Sequence, residues 1–237
     1  MLKTRGNRIT WLGHATFQIT LADGKVVLLE GWVDGNPACP QEAKKLRRVD
    51  TMLITHGHGD HIGDAVAIAQ KFKPQVVAII ETAHWLESKG VKNAIGMNKG
   101  GTVKVGEIEV TMVQAVHSNG IQDGDKMIYG GEPAGYVIRL PGGLTIYHAG
   151  DTAVFSDMKL IAELYAPEVA MLPIGDFYTM GPREAAMAIR LLNVKHVIPM
   201  HYATFPVLTG TPEELRKQTK GIAGLEIHAI KPGESLG

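Results

Sequence analysis

Four side chains able to bind a metal stand within six residues of one another in His56-Gly57-His58-Gly59-Asp60-His61. The apolar run Thr51 to Thr55 leads straight into them, so a strand end would present the group as a loop. The interleaved glycines let the backbone take the tight conformations that turn several side chains toward one point. Imidazole and carboxylate donors together suit zinc, iron or manganese better than calcium or magnesium. One histidine at a strand end is usually a surface or satisfied core residue. Three histidines and an aspartate at this spacing are something that packing does not ask for.

Three further ligand-type residues occur in the same local context. His117 follows the apolar run 108–116, Asp151 follows 144–150, and His201 follows 196–200. Strand ends at one sheet edge converge in space, and ligands gather outside the carboxyl ends of strands in open sheets. Seven donors exceed the roughly four that a single ion needs, so the expectation is a site for two transition-metal ions.

The elements that must position these residues read as strands mixed with widely spaced helices. Runs rich in β-branched residues cover 8–12, 16–21, 26–29, 51–55, 75–80, 102–105, 108–116, 135–140, 144–148, 169–172, 196–200 and 226–230. Asp23-Gly24, Gly100-Gly101 and Pro141-Gly142-Gly143 are turn signals between them, which makes the early strands antiparallel hairpins. Helical patterns fall over 63–71, 157–165, 182–192 and 212–220. The last two open with proline at the first helical position, and Thr211 suits an N-cap. This mixture argues for an α/β or layered α+β fold. No linker-like stretch divides residues 1–237, so one domain is expected.

Composition narrows the setting. A chain of 237 residues with 45% apolar and 6% aromatic residues can bury roughly 70% of its unfolded surface around an aliphatic core. The 24 basic residues balance the 24 acidic ones, so no overall field draws the chain to nucleic acid or an anionic membrane. No apolar stretch approaches the roughly 18 residues of a membrane span, and the charged N-terminus lacks a following apolar segment. The single cysteine, Cys39, cannot form an intramolecular disulfide and fits a reducing compartment. The expectation is a cytoplasmic protein acting on a small molecule, with neither nucleic acid nor membrane as partner.

At the ligand-type residues the chain resembles the metallo-β-lactamase superfamily. The hallmark His-x-His-x-Asp-His reads here as His56, His58, Asp60 and His61, and later matches are His117, the turn Gly150-Asp151-Thr152, and His201. More narrowly, Leu12-Gly13-His14, Gly35-Asn36-Pro37, the segment Tyr147 to Thr152 and the segment Ile198 to Tyr202 resemble the metal-dependent hydrolases of that superfamily. Ascorbate-phosphate lactonases and the phospholipase D acting on N-acyl ethanolamine phospholipids are more distant relatives on this reading. The resemblance spans essentially the whole chain. It implies a four-layer αββα sandwich with a dinuclear site at one edge of its two sheets. His56, His58 and His117 would hold the first ion, Asp60, His61 and His201 the second, and Asp151 would bridge. Zinc is the foremost choice, with manganese, iron or nickel as alternatives.

One departure stands out. After the strand 26–29 the family usually carries Asp-Pro, and this chain carries Glu30-Gly31. The usual aspartate orients the metal loop from behind, and loss of such partners changes metal affinity or activity by roughly 10 to 100-fold.

The implied chemistry is hydrolysis of a small ester, lactone or phosphodiester by a metal-bridging hydroxide, since divalent ions bring the pKa of bound water from about 15.7 toward 7. No Gly-x-Ser-x-Gly elbow offers a protein nucleophile. Asp60, His14 and His148 are the foremost candidates for moving the leaving-group proton, ahead of Tyr202 and His84. For each of these histidines a hydrogen-bonded core residue is the commoner explanation, and His84, His196 and His228 are read as structural or surface residues. Thr179 to Pro182 suits a pocket wall and a plain helix start equally. Two alternatives remain in view: a nuclease of the same superfamily, which the neutral charge disfavours, and a non-catalytic metal-binding protein, which retention of all seven ligands disfavours.

Overall fold

The β-branched runs fold as strands, and the turn signals close the early ones into hairpins. In the computed structural model, which describes residues 2–237, β1 (Arg8–Gly13), β2 (Thr16–Thr20) and β3 (Val26–Leu29) pair antiparallel. Asp23 accepts the Lys25 N–H at 3.0 Å and Gly24 takes φ +85°, which turns β2 into β3. The sheet continues in parallel through β4 (Thr51–Leu53), β5 (Gln75–Ile79) and β6 (Ala94–Met97).

A second sheet repeats this plan. β7 (Thr102–Val105) and β8 (Ile108–Gln114) pair antiparallel. β9 (Gly120–Asp123) and β10 (Lys126–Tyr129) form a separate hairpin. β11 (Ala134–Arg139) joins β8 and β12 (Thr145–His148) antiparallel, after which β13 (Val169–Pro173), β14 (His196–Met200) and β15 (Glu226–Ile227) run parallel. β16 (Ser235–Leu236) returns to β1 and closes the first sheet at seven strands, the same number as the second.

Among the described residues six α-helices lie between these strands: α1 (Gly59–Ile62), α2 (Ala65–Phe72), α3 (Ile80–Ser88), α4 (Met158–Tyr165), α5 (Pro182–Leu192) and α6 (Pro212–Gln218). Thr211 caps α6 by accepting the Glu214 N–H at 3.2 Å, and Pro182 and Pro212 open their helices as the sequence indicates.

Strand side chains alternate between two cores because successive residues point to opposite faces. Val27 and Leu29 of β3, with Val169 and Met171 of β13, meet between the sheets. Leu28 faces outward to Ile68 and Ala69 of α2, and Ala170 and Leu172 face outward to Ala185 and Ile189 of α5. The layer order is therefore helix, sheet, sheet, helix, the mixed α/β sandwich expected. Truncating one of these side chains to Ala would cost about 2–5 kcal/mol.

Several elements differ from the sequence reading. The metal-binding segment is partly helical, since Asp60 and His61 ride on α1, and the following helix starts at Ala65. α3, β6 and the β9–β10 hairpin were not anticipated. The inward face of α3 is short, formed by Thr82, Ala83 and Leu86, which leaves a weak helical period. The strand expected over 226–230 stops at Ile227. Among the described residues no helix is long and apolar enough to cross a membrane.

Candidate metal centre

Strands of both sheets end at one place. β4 of the first sheet leads into His56, His58, Asp60 and His61, while β8, β12 and β14 of the second lead into His117, Asp151 and His201. His58 is extended at ψ 149° and serves as the N-cap of α1, whose single turn brings Asp60 and His61 round toward it. Gly57 has no room for a side chain, because a Cβ there would press into Ile121 and the Asn119 side chain. Its N–H donates to Asn119 Oδ1 at 2.7 Å, and Asn119 Nδ2 donates in turn to the Gly130 carbonyl at 2.7 Å. Asn119 thus ties the metal-binding segment to the β9–β10 hairpin.

The seven expected residues do come together. His56 Nε2 lies 3.0 Å from His58 Nδ1, which lies 3.3 Å from His117 Nε2. Asp151 Oδ2 sits among the imidazoles, 3.0 Å from His201 Nε2, 3.3 Å from His61 Nε2, 3.6 Å from His117 Nε2 and 3.9 Å from His56 Nε2. His201 Nε2 is 3.9 Å from Asp60 Oδ2. Donors around one ion at 2.0–2.2 Å in tetrahedral array stand about 3.3–3.6 Å apart, so these spacings match shared coordination.

Buried polar atoms give a second test of that fit. Both ring nitrogens of His61 and His201 and Oδ1 of Asp151 are buried without a hydrogen-bond partner. Orphans of this kind are rare in a protein interior, and the two Nε2 atoms, which both face Asp151 Oδ2, are what a cation there would satisfy. The donor set therefore fits divalent transition-metal ions.

The surroundings hold these donors in place. Glu30 is wholly buried; its Oε1 accepts the Thr55 hydroxyl at 2.5 Å and stands 3.4 Å from His61 Nδ1, while its Oε2 accepts the Thr55 N–H at 3.2 Å. It occupies the place expected of the family's aspartate, behind a ligand. Thr152 Oγ1 accepts the Val116 N–H at 3.0 Å, which joins the segment bearing Asp151 to the residue before His117. His14, Glu30 and His201 all have left-handed backbone, with φ of 55°, 64° and 55°. Strain of this sort persists where surrounding structure over-determines it and clusters at functional sites.

Electrostatics follow from burial against partnership. Burial raises the cost of charging Asp151, but the imidazoles of His201 and His61 outweigh it and hold its carboxyl well below the usual range. Burial likewise opposes a charge on His61, yet Asp151 and Glu30 raise its pKa well above the ordinary value. His56, His58 and His117 are lowered, chiefly by burial.

The three proton-moving candidates separate clearly. Asp60 keeps 25% of its side chain open and lines a cavity of about 640 Å³. His14 is shut off behind it, with Nε2 3.0 Å from Asp60 Oδ2 and Nδ1 3.0 Å from Thr204 Oγ1. Burial lowers its pKa to about 4 against the pull of Asp60, so the ring is neutral and donates Nε2–H to the carboxylate. His148 lies deeper: Nε2 donates to the Ala15 carbonyl at 2.9 Å and Nδ1 accepts the Gly150 N–H at 3.2 Å. Both nitrogens are committed to the main chain, which leaves neither for a substrate and assigns His148 to holding the turn before Asp151. Tyr202, whose phenol burial raises to about 12, and exposed His84 both lie outside the cavity wall. Met180 and Pro182 are absent from it too, while Tyr178, Phe205, Pro206 and Val207 form its apolar side. Thr152 stands in the turn that the sequence marks, whereas Asn119, Thr55 and Tyr178 carry no motif, and their one signal is that each is a polar residue within a few positions of a ligand or strand end.

Comparisons with known proteins agree with this geometry. A model of the Beta-lactamase superfamily domain matches residues 26–202. UPF0173 metal-dependent hydrolases of Koribacter versatilis and Solibacter usitatus are 58% and 60% identical over 98% and 96% of this chain and 98% of each relative. The solved structure of a metallo hydrolase from the archaeon Ignicoccus hospitalis superposes with a TM-score of 0.85 at 35% identity, covering 97% of both chains.

Proposed function

Because the chain belongs to the beta-lactamase superfamily, as one of its metal-dependent hydrolases, we propose that it binds two divalent ions and hydrolyses a small uncharged ester or lactone. His56, His58 and His117 would hold one ion, Asp60, His61 and His201 the other, with Asp151 between them. Zinc is the ion this donor set favours, since imidazole nitrogen outnumbers carboxylate oxygen. When bound, such ions supply a water acidic enough to attack at neutral pH and positive charge for the oxygen on which negative charge develops.

The chain's own residues do the rest. Asp60 is the carboxylate with access to both the cavity and His14, so it takes the proton released at the reacting centre and passes it to the leaving group. His14 fixes that carboxylate from behind through Nε2–H and is itself fixed by Thr204. Tyr178, Phe205 and Val207 shed water from the substrate and shape one wall.

The observation that carries the substrate class is that, among the described residues, the cavity wall has no Lys or Arg, its titratable members being His58, Asp60, His117, Asp151, His201 and Tyr178. Phosphoryl oxygens are ordinarily clamped by guanidinium or ammonium groups as well as metal. A neutral carbonyl substrate with an apolar tail suits these walls better than a phosphodiester or a nucleic acid.

A panel of neutral esters, lactones and phosphodiesters, assayed on zinc-loaded protein with metal counted alongside, tests the reading. Turnover of esters or lactones well above phosphodiesters is expected. Preference for phosphodiesters would overturn the substrate class, and turnover unaffected by chelation would overturn the mechanism.

A further inference from the structure

The second sheet brings together another set of donors, far from the centre just described. In the parallel pairing of β14 with β15, His196 stands opposite Glu226. His228 follows Glu226 by two residues, and the N–H groups of Glu226 and His228 donate to the carbonyls of Lys195 and Val197 at 2.8 Å each. Residues two apart on a strand share a face, so this register brings the three side chains to one face of the sheet. His196 opens β14 and His201 follows its end, five residues on, which separates the two sets by about 16 Å along the strand.

We propose that His196, Glu226 and His228 form an independent site for one transition-metal ion, with Zn2+ as the natural occupant. His196 Nδ1 lies 3.1 Å from His228 Nε2, and Glu226 Oε2 lies 3.7 Å from the first and 3.8 Å from the second. These separations are in the same range as those among the donors of the main centre, and all three ligand atoms fall within 4.8 Å of one another. An ion at 2.0–2.2 Å from each asks for about 3.3–3.6 Å between donors, so small side-chain rotations suffice. Two imidazoles and a carboxylate select zinc, nickel or copper over calcium or magnesium.

The site is neither buried nor loose. Only 17% and 14% of the two histidine side chains is exposed, and His196 borders a cavity of about 360 Å³ from which water can complete the coordination shell. Facing each other, the two rings share a single N···N contact, which an ion replaces with two coordinate bonds. Glu226 has a further polar partner, so its carboxylate is shared with that contact. The consequence is mechanical: β15 has two residues at the edge of the sheet, and an ion held across β14 and β15 clamps that edge.

Zinc-saturated protein dialysed against micromolar free Zn2+ at neutral pH tests this. Wild type is expected to retain one equivalent more than either His196→Gln or His228→Gln, and Zn2+ should slow amide hydrogen exchange at residues 226–228 in wild type alone. Equal zinc counts in wild type and both variants would overturn the proposal, as would exchange at 226–228 that ignores Zn2+. Failure of the main-centre reading looks different, since His201→Ala should lose zinc there and keep the extra equivalent. An extra equivalent lost in His201→Ala and kept in His228→Gln belongs to the main centre and overturns the second site.

Discussion

The donors at the main centre divide into a buried floor and an open wall. His56, His61, Asp151 and His201 show at most 3% of their side chains to solvent, whereas His117 and Asp60 show 13% and 25%. The floor consists of polar groups inside the core, several of them without hydrogen-bond partners, so its arrangement is part of folding as well as of the proposed metal binding. The wall is the more solvent-open part of the cavity lining, to which Asp151 and His201 also contribute. Residues of one ligand type, often neighbours in sequence, thus carry different energetic burdens, and burial decides which.

The largest expected effect lies in the floor. Asp151→Ala removes the carboxylate around which four imidazoles are arranged and leaves His61 and His201 buried without it. Breaking a buried ionic arrangement by removing one partner costs about 3–5 kcal/mol. Urea unfolding of metal-free protein should show a loss of that size, with metal content falling as well. Unchanged metal-free stability would abolish the distinction between floor and wall.

Acid should expose the same division. Burial lowers His14 from 6.5 to about 4, so the folded state refuses a proton that the unfolded chain accepts. Stability from such a group is complete above about 6.5 and drains as pH falls toward 4, by at most roughly 3.5 kcal/mol at about 1.4 kcal/mol per unit. His61 has the opposite sign, because its raised pKa stabilises below about 6.5 and the benefit is lost as pH climbs through the folded value. Metal-free protein should therefore be most stable near pH 6.5. His14→Gln should flatten the acid limb, and a curve superimposable on wild type between pH 6.5 and 4 would remove His14 from this account.

Much of the centre was legible because its chemistry is concentrated in residue types that packing seldom groups. His56, His58, Asp60 and His61 announce themselves by spacing, and His117, Asp151 and His201 by following apolar strands. The alternation of Val27, Leu28 and Leu29 between two cores explains why buried strands read clearly. What stayed hidden depends on tertiary register. Nothing in the order of residues tells that Asn119 meets Gly57, that both nitrogens of His148 serve the main chain, or that His196 and His228 face each other across β14 and β15. The β9–β10 hairpin leaves no sequence signal for a related reason: exposed residues such as Met127 and Tyr129 carry no core-facing period.

Glu30 sharpens the comparison from behind the floor. Its carboxylate is shared between Thr55 and His61, so Glu30→Ala leaves the Thr55 N–H and hydroxyl without their acceptor and His61 without its orienting charge. Metal affinity should weaken by roughly 10 to 100-fold. Glu30→Asp shortens the reach by one methylene but tolerates the left-handed backbone better, and should stay near wild type. Chelator titration of the three proteins separates these outcomes, and identical metal-loss curves would leave Glu30 with no part in holding the ligands.

The smallest effect on the fold belongs to the wall. His117 extends from the end of β8 into the cavity, and its closest polar neighbours are other proposed ligands, His58 at 3.3 Å and Asp151 at 3.6 Å. Removing it in His117→Ala leaves no main-chain group unsatisfied and no large void in the core. Metal-free stability should fall by no more than about 1 kcal/mol, the centre of the range for ordinary point substitutions. Metal content should nonetheless fall, because one of the three proposed donors to an ion is gone. His201→Ala at the buried end of β14 should lose metal to a similar degree and also destabilise the metal-free protein, since its almost wholly buried ring packs 3.8 Å from that of His14 and its removal leaves a void. Metal counts and urea unfolding of the two variants, measured side by side, decide the matter: equal destabilisation would mean that the wall is as much a part of the fold as the floor.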